Sequence, residues 1–359
     1  MHNKDFVVYA GERALAILRD RGLQADSVKV VAGAAGGPKW LVLYGLDRFL
    51  FGEWFAGRQT PLYLLGSSIG TWRFAAASVN DPVHAIDRLK DAYIHQQYSD
   101  SPTAADVSAE AANILDQYID DAAIQQILEN PCYRFNLLAV RCSLPPLKSE
   151  ARMMQLPALA LAALCNAANR SSLGLFFQRT LFHHPTDGSF FDTLNGFPIH
   201  RIPLTAANFR KAMIASGSIP MVMSGVDNIP GAPPGVYRDG GIIDYHMNVP
   251  FPVGADDIVL FPHYVDRIIP GWFDKQIPWR KPDPACLENV VMIAPSPAFV
   301  GSLPYGKIPD RKDFITLSGR DQTRFDYWDT VVEKSLELAE GIRDALDTGR
   351  IAEMAAPFP

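Results

Sequence analysis

Thr60-Pro61-Leu62-Tyr63-Leu64-Leu65 runs directly into Gly66-Ser67-Ser68-Ile69-Gly70. The first six residues are a short apolar run, the reading of a buried strand. Thr71-Trp72-Arg73-Phe74-Ala75 then opens a helix that should end before Pro82. The turn between them fits G-x-S-x-G, which sets a serine on a sharp strand-to-helix bend. Its flanking glycines keep side chains clear of neighbours and of a substrate. A helix beginning just after Ser68 also aims its N-terminal dipole and free N–H groups at a developing oxyanion. The pentapeptide alone is a weak signal, because a small-residue turn that merely lets a helix pack on a sheet has the same letters. The strand before it and the helix after it favour the serine reading.

The same grammar stands one step upstream. Ser27–Ala32 (SVKVVA) reads as a buried strand, glycines follow at Gly33, Gly36 and Gly37, and a helix should run from about Pro38 to Phe51. Strand, tight turn and helix, twice over, predict an α/β fold of three layers. Its central sheet should be mostly parallel with helices on both faces. Further helices are expected at Glu12–Arg21, Asp87–Tyr98, Ala104–Leu128, Ala206–Ala215 and Asp321–Leu346. Strands are expected at Phe135–Ser143, Pro198–Leu204, Ile258–Pro262 and Asn289–Ala294. Ser149–Phe182 carries two apolar helical stretches, the second with Leu173, Phe176, Phe177, Thr180 and Leu181 on one face. Without a repeat or a linker, the reading is one domain over residues 1–359. Within it lie a motif-bearing core at about 27–250, a helical insertion at about 149–185 and a C-terminal extension at about 263–359.

Composition narrows the class. At 48% hydrophobic and 20% charged residues over 359 positions, the chain has enough apolar material for a sizeable core. A net charge of −6 argues against a general nucleic-acid binder, which would carry a basic face. Cys132, Cys142, Cys165 and Cys286 are scattered, with no CxxC pair, so free thiols in a reducing compartment are expected. Met1–Gly11 lacks the features of a secretory signal, and the longest apolar run, Leu156–Cys165, is about half of a membrane span. The expected location is cytoplasmic; oligomeric state is left open.

The glycine loop Gly33–Trp40 fits neither the dinucleotide fingerprint nor the P-loop. The N–H groups of Gly36 and Gly37 are placed to form an anion hole beside a helix N-terminus, Pro38 suits the first helical turn, and Lys39 adds charge at the mouth. A plain strand-to-helix turn is an equal reading of this loop. A serine also needs a base. The histidines after Ser68 are His84, His95, His183, His184, His200, His246 and His263, and none sits in a conspicuous loop after a last strand. Tyr237-Arg238-Asp239-Gly240-Gly241-Ile242-Ile243 stands out instead, an acidic residue in a glycine turn that lets a carboxylate approach another backbone. An ordinary Asp-Gly turn looks the same.

Taken together, Gly36-Gly37-Pro38-Lys39, Gly66-Ser67-Ser68-Ile69-Gly70 and Asp239-Gly240-Gly241 resemble, in order, the G-G-x-[RK], G-x-S-x-G and D-G-[GA] motifs of the patatin-like phospholipase family. Ala215-Ser216-Gly217-Ser218-Ile219-Pro220 is similar to that family's A-S-x-x-I-P segment, and Asp239–Pro250 to the run that follows D-G-G. The resemblance covers roughly Ser27–Pro250. It implies Ser68 as nucleophile and Asp239 as its base. It implies Gly36 and Gly37 as the oxyanion hole and Lys39 as the basic residue beside it, with no metal and no cofactor. Two positions depart from the pattern: Ala35 stands for a third glycine, and Trp40 for a small residue. Ala35 is expected to offer its N–H all the same, and Trp40 to narrow an acyl pocket.

The expected activity is therefore hydrolysis of carboxylic esters of lipids, as a phospholipase A, lysophospholipase or carboxylesterase working through an acyl-enzyme. An acyltransferase with the same dyad, or a non-catalytic lipid-binding protein, are the rivals. The partner is a lipid or other acyl ester, with peripheral membrane contact and no nucleic acid. His183-His184 beside Asp187 reads as a surface loop rather than a metal site, and the helices of Leu156–Phe182 as core or a dimer contact rather than a lid.

Overall fold

The structure, a computed structural model, describes residues 5–359. The part of the N-terminal reading that falls on residues 1–4 lies outside the described residues. Eleven strands form one sheet: β1 (Phe6–Ala10), β2 (Val28–Gly33), β3 (Leu62–Ser67), β4 (Tyr133–Cys142), β5 (Phe177–His183), β6 (Ile199–Pro203), β7 (Val226–Asp227), β8 (Val236–Asp239), β9 (Ile258–Pro262), β10 (Val290–Pro295) and β11 (Ala355–Pro357). Their order is β11-β1-β10-β9-β2-β3-β4-β5-β6, with β8 on β4 and β7 on β8. The run β10-β9-β2-β3-β4 is parallel throughout. Antiparallel pairs occur at β1 with β10, β4 with β5, β4 with β8 and β7 with β8. The central strands β3, β9 and β10 are buried at every position, as a sheet covered on both faces requires.

Helices pack around this sheet. The Glu12–Arg21, Phe209–Gly217 and Asp321–Asp347 helices fall where the apolar periodicity puts them. The expected Ala104–Leu128 helix is two, Ala104–Tyr118 and Asp121–Glu129, because Asp120 caps a new N-terminus by accepting from Ala123 N–H. The segment after Gly36 is helical but irregular, passing from a 3₁₀ stretch (Gly37–Leu43) through α (Tyr44–Phe49) to a π turn (Leu50–Trp54).

One expectation is overturned. Phe177, Thr180 and Leu181 do not lie on a helix; they belong to β5, which pairs antiparallel with β4 from Cys142↔Phe177 to Leu137↔Phe182. Six of the seven β5 residues, all but Gln178, are buried, so apolar spacing there matches a helix only by coincidence. The helical insertion thus ends early: Arg152–Ala168 is its helix, and from Phe177 the chain is back in the sheet. That helix buries Ala158, Leu159 and Ala162 but leaves Met153, Leu156, Leu161 and Leu164 exposed, so only one of its faces is core. Among the described residues no helix is long and apolar enough to cross a membrane.

The helix behind Ser68 carries a fully buried ion pair. Arg73 donates from Nε and Nη2 to both oxygens of Asp47, at 2.7 and 2.6 Å, with each side chain 1% exposed. Removing one partner strands a buried charge, whereas replacing both with apolar groups does not. Asp47→Ala should lower the unfolding free energy by about 3–5 kcal/mol. The double variant Asp47→Leu/Arg73→Met should recover most of it in urea titrations; a double variant as unstable as the single one would contradict this account.

Candidate active site

The register of β4 brings the serine and the aspartate together. On one edge β4 pairs with β5 along Leu137–Cys142. Its other edge is shared: β3 occupies it as far as Ser67↔Leu138, and β8 takes over from Ala139↔Asp239. The end of β3 and the end of β8 therefore abut, although Ser68 and Asp239 are 171 positions apart, and Ser68 Oγ donates to Asp239 Oδ2 at 2.7 Å. Gly240 makes the approach feasible: a Cβ there would lie 2.2 Å from the Leu138 carbonyl oxygen. Asp239 N–H donates to Ser218 O at 3.0 Å, and its second carboxylate oxygen accepts from Gly241 N–H at 2.7 Å.

Ser68 has φ 53° and ψ −126°, a conformation costing a non-glycine residue on the order of 1–3 kcal/mol. Ser216 compensates. Its Oγ donates to Leu138 O at 2.7 Å, so its lone pairs accept from Ser68 N–H at 3.0 Å and from the Thr71 hydroxyl at 2.9 Å. The serine turn, the helix after it and the A-S-x-x-I-P segment thus converge on one buried oxygen.

Burial pushes the Asp239 carboxyl up from its ordinary value, opposed by Arg311, the Ser68 hydroxyl, the Gly241 N–H and Lys275. Among the described residues no histidine takes its place. His246 and His263 are wholly buried and held neutral, His263 at about 3, and neither bonds Ser68. His183 and His184 are buried rather than in a surface loop. The His183 ring contacts His184 O, the His184 ring contacts Thr186, and Asp187 ion-pairs with Arg134.

Gly36 and Gly37 are the N-cap and first residue of the 3₁₀ stretch, so their N–H groups have no acceptor within it. Ala35 does not join them: its N–H donates to Tyr245 O at 2.9 Å. Trp40 does not narrow the pocket either; at 1% exposed it is core, set edge-on against Tyr93.

Two cavities share Arg311, and one of them borders Ser68. One, of about 320 Å³, is walled by Trp72, Val107, Ile114, Ile219, Met223 and Phe314, with Ser68 and Gly37 on its border. Val222 and Ile315, 43% and 79% exposed, mark its mouth. The other, of about 190 Å³, is polar and bordered by Gly36, Lys39, Tyr245, Lys275, Asp310 and Arg311. Lys39 therefore faces the polar cleft and not the apolar cavity. Asp310 is engaged by Lys307 at 3.3 Å. Among the described residues Lys39, Lys275 and Arg311 have no carboxylate within ion-pair distance; Lys39 and Lys275 lie 5.0 and 3.9 Å from the Tyr264 and Tyr245 rings. Burial, with Arg311 and Lys39 close by, brings the Lys275 ammonium down to about 7 against the pull of Asp239. Arg311 borders both cavities. Lys275 and Arg311 come from the C-terminal region, where no periodicity or motif marks them.

No family model and no curated protein matches the chain. Among solved structures, human GIVD cytosolic phospholipase A2 is similar at 14% identity and a TM-score of 0.36. The match covers 95% of this chain and 63% of that one, so the chain spans less than two thirds of that protein's length.

Ser216→Ala leaves Ser68 N–H and Leu138 O without their buried partner. It should cost about 1–3 kcal/mol of stability in urea unfolding and slow labelling of Ser68 by a fluorophosphonate. Unchanged stability and labelling would show that the Ser68 turn holds itself.

Proposed function

We propose that the protein is a serine acyl hydrolase of lipid esters, with Ser68 as nucleophile and Asp239 as base. The observation that carries this reading is the 2.7 Å hydrogen bond from Ser68 Oγ to Asp239, at the border of an apolar cavity. Asp239 takes the Ser68 proton as Oγ attacks the ester carbonyl, and the N–H groups of Gly36 and Gly37 receive the oxyanion. Collapse of the tetrahedral intermediate breaks the ester C–O bond, and the leaving alcohol takes the proton from Asp239. Water, deprotonated by Asp239, then attacks the acyl-enzyme; the carboxylic acid departs and Ser68 recovers its proton.

The apolar cavity suits the acyl chain. The basic cleft on the other side of Arg311, with Lys39 and Lys275, suits an anionic alcohol portion, which favours a phospholipid or lysophospholipid over an uncharged ester. The exposed Met153, Leu156, Leu161 and Leu164 give the surface an apolar strip for contact with aggregated lipid.

Ser68→Ala should reduce turnover on the order of 10³-fold or more, and Asp239→Asn nearly as much, because the pair acts as a unit. Wild-type ester hydrolysis by Ser68→Ala would end the proposal.

The pH profile has two limbs of opposite sign. Asp239 works ionised, and its pKa is raised, so kcat/KM should climb as pH rises through that value. Lys275 attracts an anion only while protonated, so KM for a phosphate-bearing ester should worsen as pH rises through about 7. A neutral ester of the same acyl chain should lack the second limb, and Lys275→Gln should abolish it; an identical profile for both esters would remove Lys275 from recognition.

A further inference from the structure

Behind the glycine loop lies a chain of buried hydrogen bonds whose direction is fixed. Ile269 N–H donates to His246 Nδ1 at 3.0 Å, which leaves the proton of this neutral imidazole on Nε2. Nδ1 also lies 3.3 Å from Arg267 O, but an N–H can only donate, so Ile269 assigns the lone pair to Nδ1. His246 Nε2–H then donates to Tyr264 Oη at 2.8 Å. With that lone pair used and Tyr245 beside it, the Tyr264 proton is directed to the Ala35 carbonyl, to which Tyr264 donates. Tyr264 and His246 are 2% and 1% exposed, so no water competes for these bonds.

The consequence falls on the next residue. In a trans peptide the C=O and N–H point to opposite sides. With Ala35 C=O drawn to Tyr264, Gly36 N–H is turned to the side away from it. Ala35 N–H is bound at the same time by Tyr245 O, so the peptides on both sides of the Ala35 Cα are held. The Tyr264 ring also fixes the loop sterically: a Cβ on Gly36 would lie 2.7 Å from its Cε1. Tyr264 itself borders neither cavity at Ser68, whereas Gly37 borders the one that holds Ser68.

We infer that the Ile269–His246–Tyr264–Ala35 relay positions the Gly36–Gly37 amides for the oxyanion, making Tyr264 and His246 positioning residues for the reaction proposed above. It rests on that reaction for its kinetic effect and on nothing else for its geometry. It also accounts for Ala35: its amide is committed to the tether, and only the two glycines remain for the oxyanion.

Tyr264→Phe keeps the ring and deletes the donor. Its kcat should fall between about tenfold and about a hundredfold with KM unchanged, the range for small misplacements of a catalytic group. In the ligand-free protein the ¹H–¹⁵N resonances of Gly36 and Gly37 should shift, and their amides should exchange faster. His246→Gln, which retains an N–H donor, should restore more activity than His246→Leu. That pair is read the same way should Tyr264→Phe fail to fold. Unmoved Gly36 and Gly37 resonances overturn the relay, whatever the hydrolysis assay reads. Moved resonances with wild-type kcat overturn its role in turnover. A wild-type protein inactive on every ester sinks the hydrolase reading instead, and the resonances still decide the relay.

Discussion

The site depends on the unequal lengths of β3 and β4. β4 is ten residues long and β3 six, so β3 stops at Ser67 with an edge of β4 still unpaired. Unpaired backbone groups inside a protein are costly, so that edge needs a strand. β8 fills it from the opposite direction, antiparallel, at Ala139–Arg141. A parallel strand and an antiparallel strand ending toward one another on a single edge bring their terminal residues face to face. Ser68 follows the end of one and Asp239 ends the other. The 2.7 Å hydrogen bond is therefore a consequence of sheet register, held by the many ladder bonds on either side.

Register alone would leave the serine strained, and the surroundings show how the strain is held. Ser68 sits at positive φ, and its N–H, the Thr71 hydroxyl and the Leu138 carbonyl all converge on Ser216. Leu138 lies on β4 next to the handover point, so one buried hydroxyl ties the serine turn to the strand that positions the aspartate. The Arg73–Asp47 pair fixes the same helix from its far side. The serine is thus confined by a strand before it, a hydroxyl beside it and an ion pair behind it.

What the sequence displays follows from how local each feature is. Strand, turn and helix at Thr60–Ala75 are contiguous, and their letters suffice; so do the Glu12–Arg21 helix and β9, whose limits agree with their apolar spacing. Phe177–His183 reads as helix because its apolar letters Phe177 and Leu181 stand four apart, and a strand that also buries Arg179, Thr180 and His183 shows no alternation to correct that reading. β1 went unread because it is five residues long and its partner β10 is nearly three hundred positions away. In the candidate site, Ser68, Asp239, Gly36, Gly37 and Lys39 are legible because they stand in motifs. Ser216 was visible only as a member of one. Tyr264, Lys275 and Arg311 are isolated letters in the C-terminal region, and only tertiary packing brings them to the glycine loop. Ala35 shows the converse: its N–H looked free, and a bond to Tyr245, 210 positions away, removes it.

The two cavities explain why that C-terminal region matters to a site whose motifs all precede it. An apolar cavity against a serine would bind an acyl chain, but it says nothing about the other half of an ester. In the proposed function the second half would meet Lys39 from the motif region, Lys275 from the Trp272–Gln276 turn and Arg311 from the segment before the last long helix. Three cations gathered at partly buried positions repel one another, and burial lowers the ammonium groups of Lys39 and Lys275. The fall of Lys275 to about 7 is the visible cost. Asp239 offsets part of it, and Arg311 and Lys275 oppose the burial that would otherwise protonate Asp239. Asp239 and Lys275 therefore stabilise one another's charged forms, and in the proposed reaction the aspartate stays competent to accept a proton because Arg311 and Lys275 stand beside it. In the proposed function, substrate recognition and proton transfer form one electrostatic unit, assembled from the motif-bearing half of the chain and the half that carries no motif.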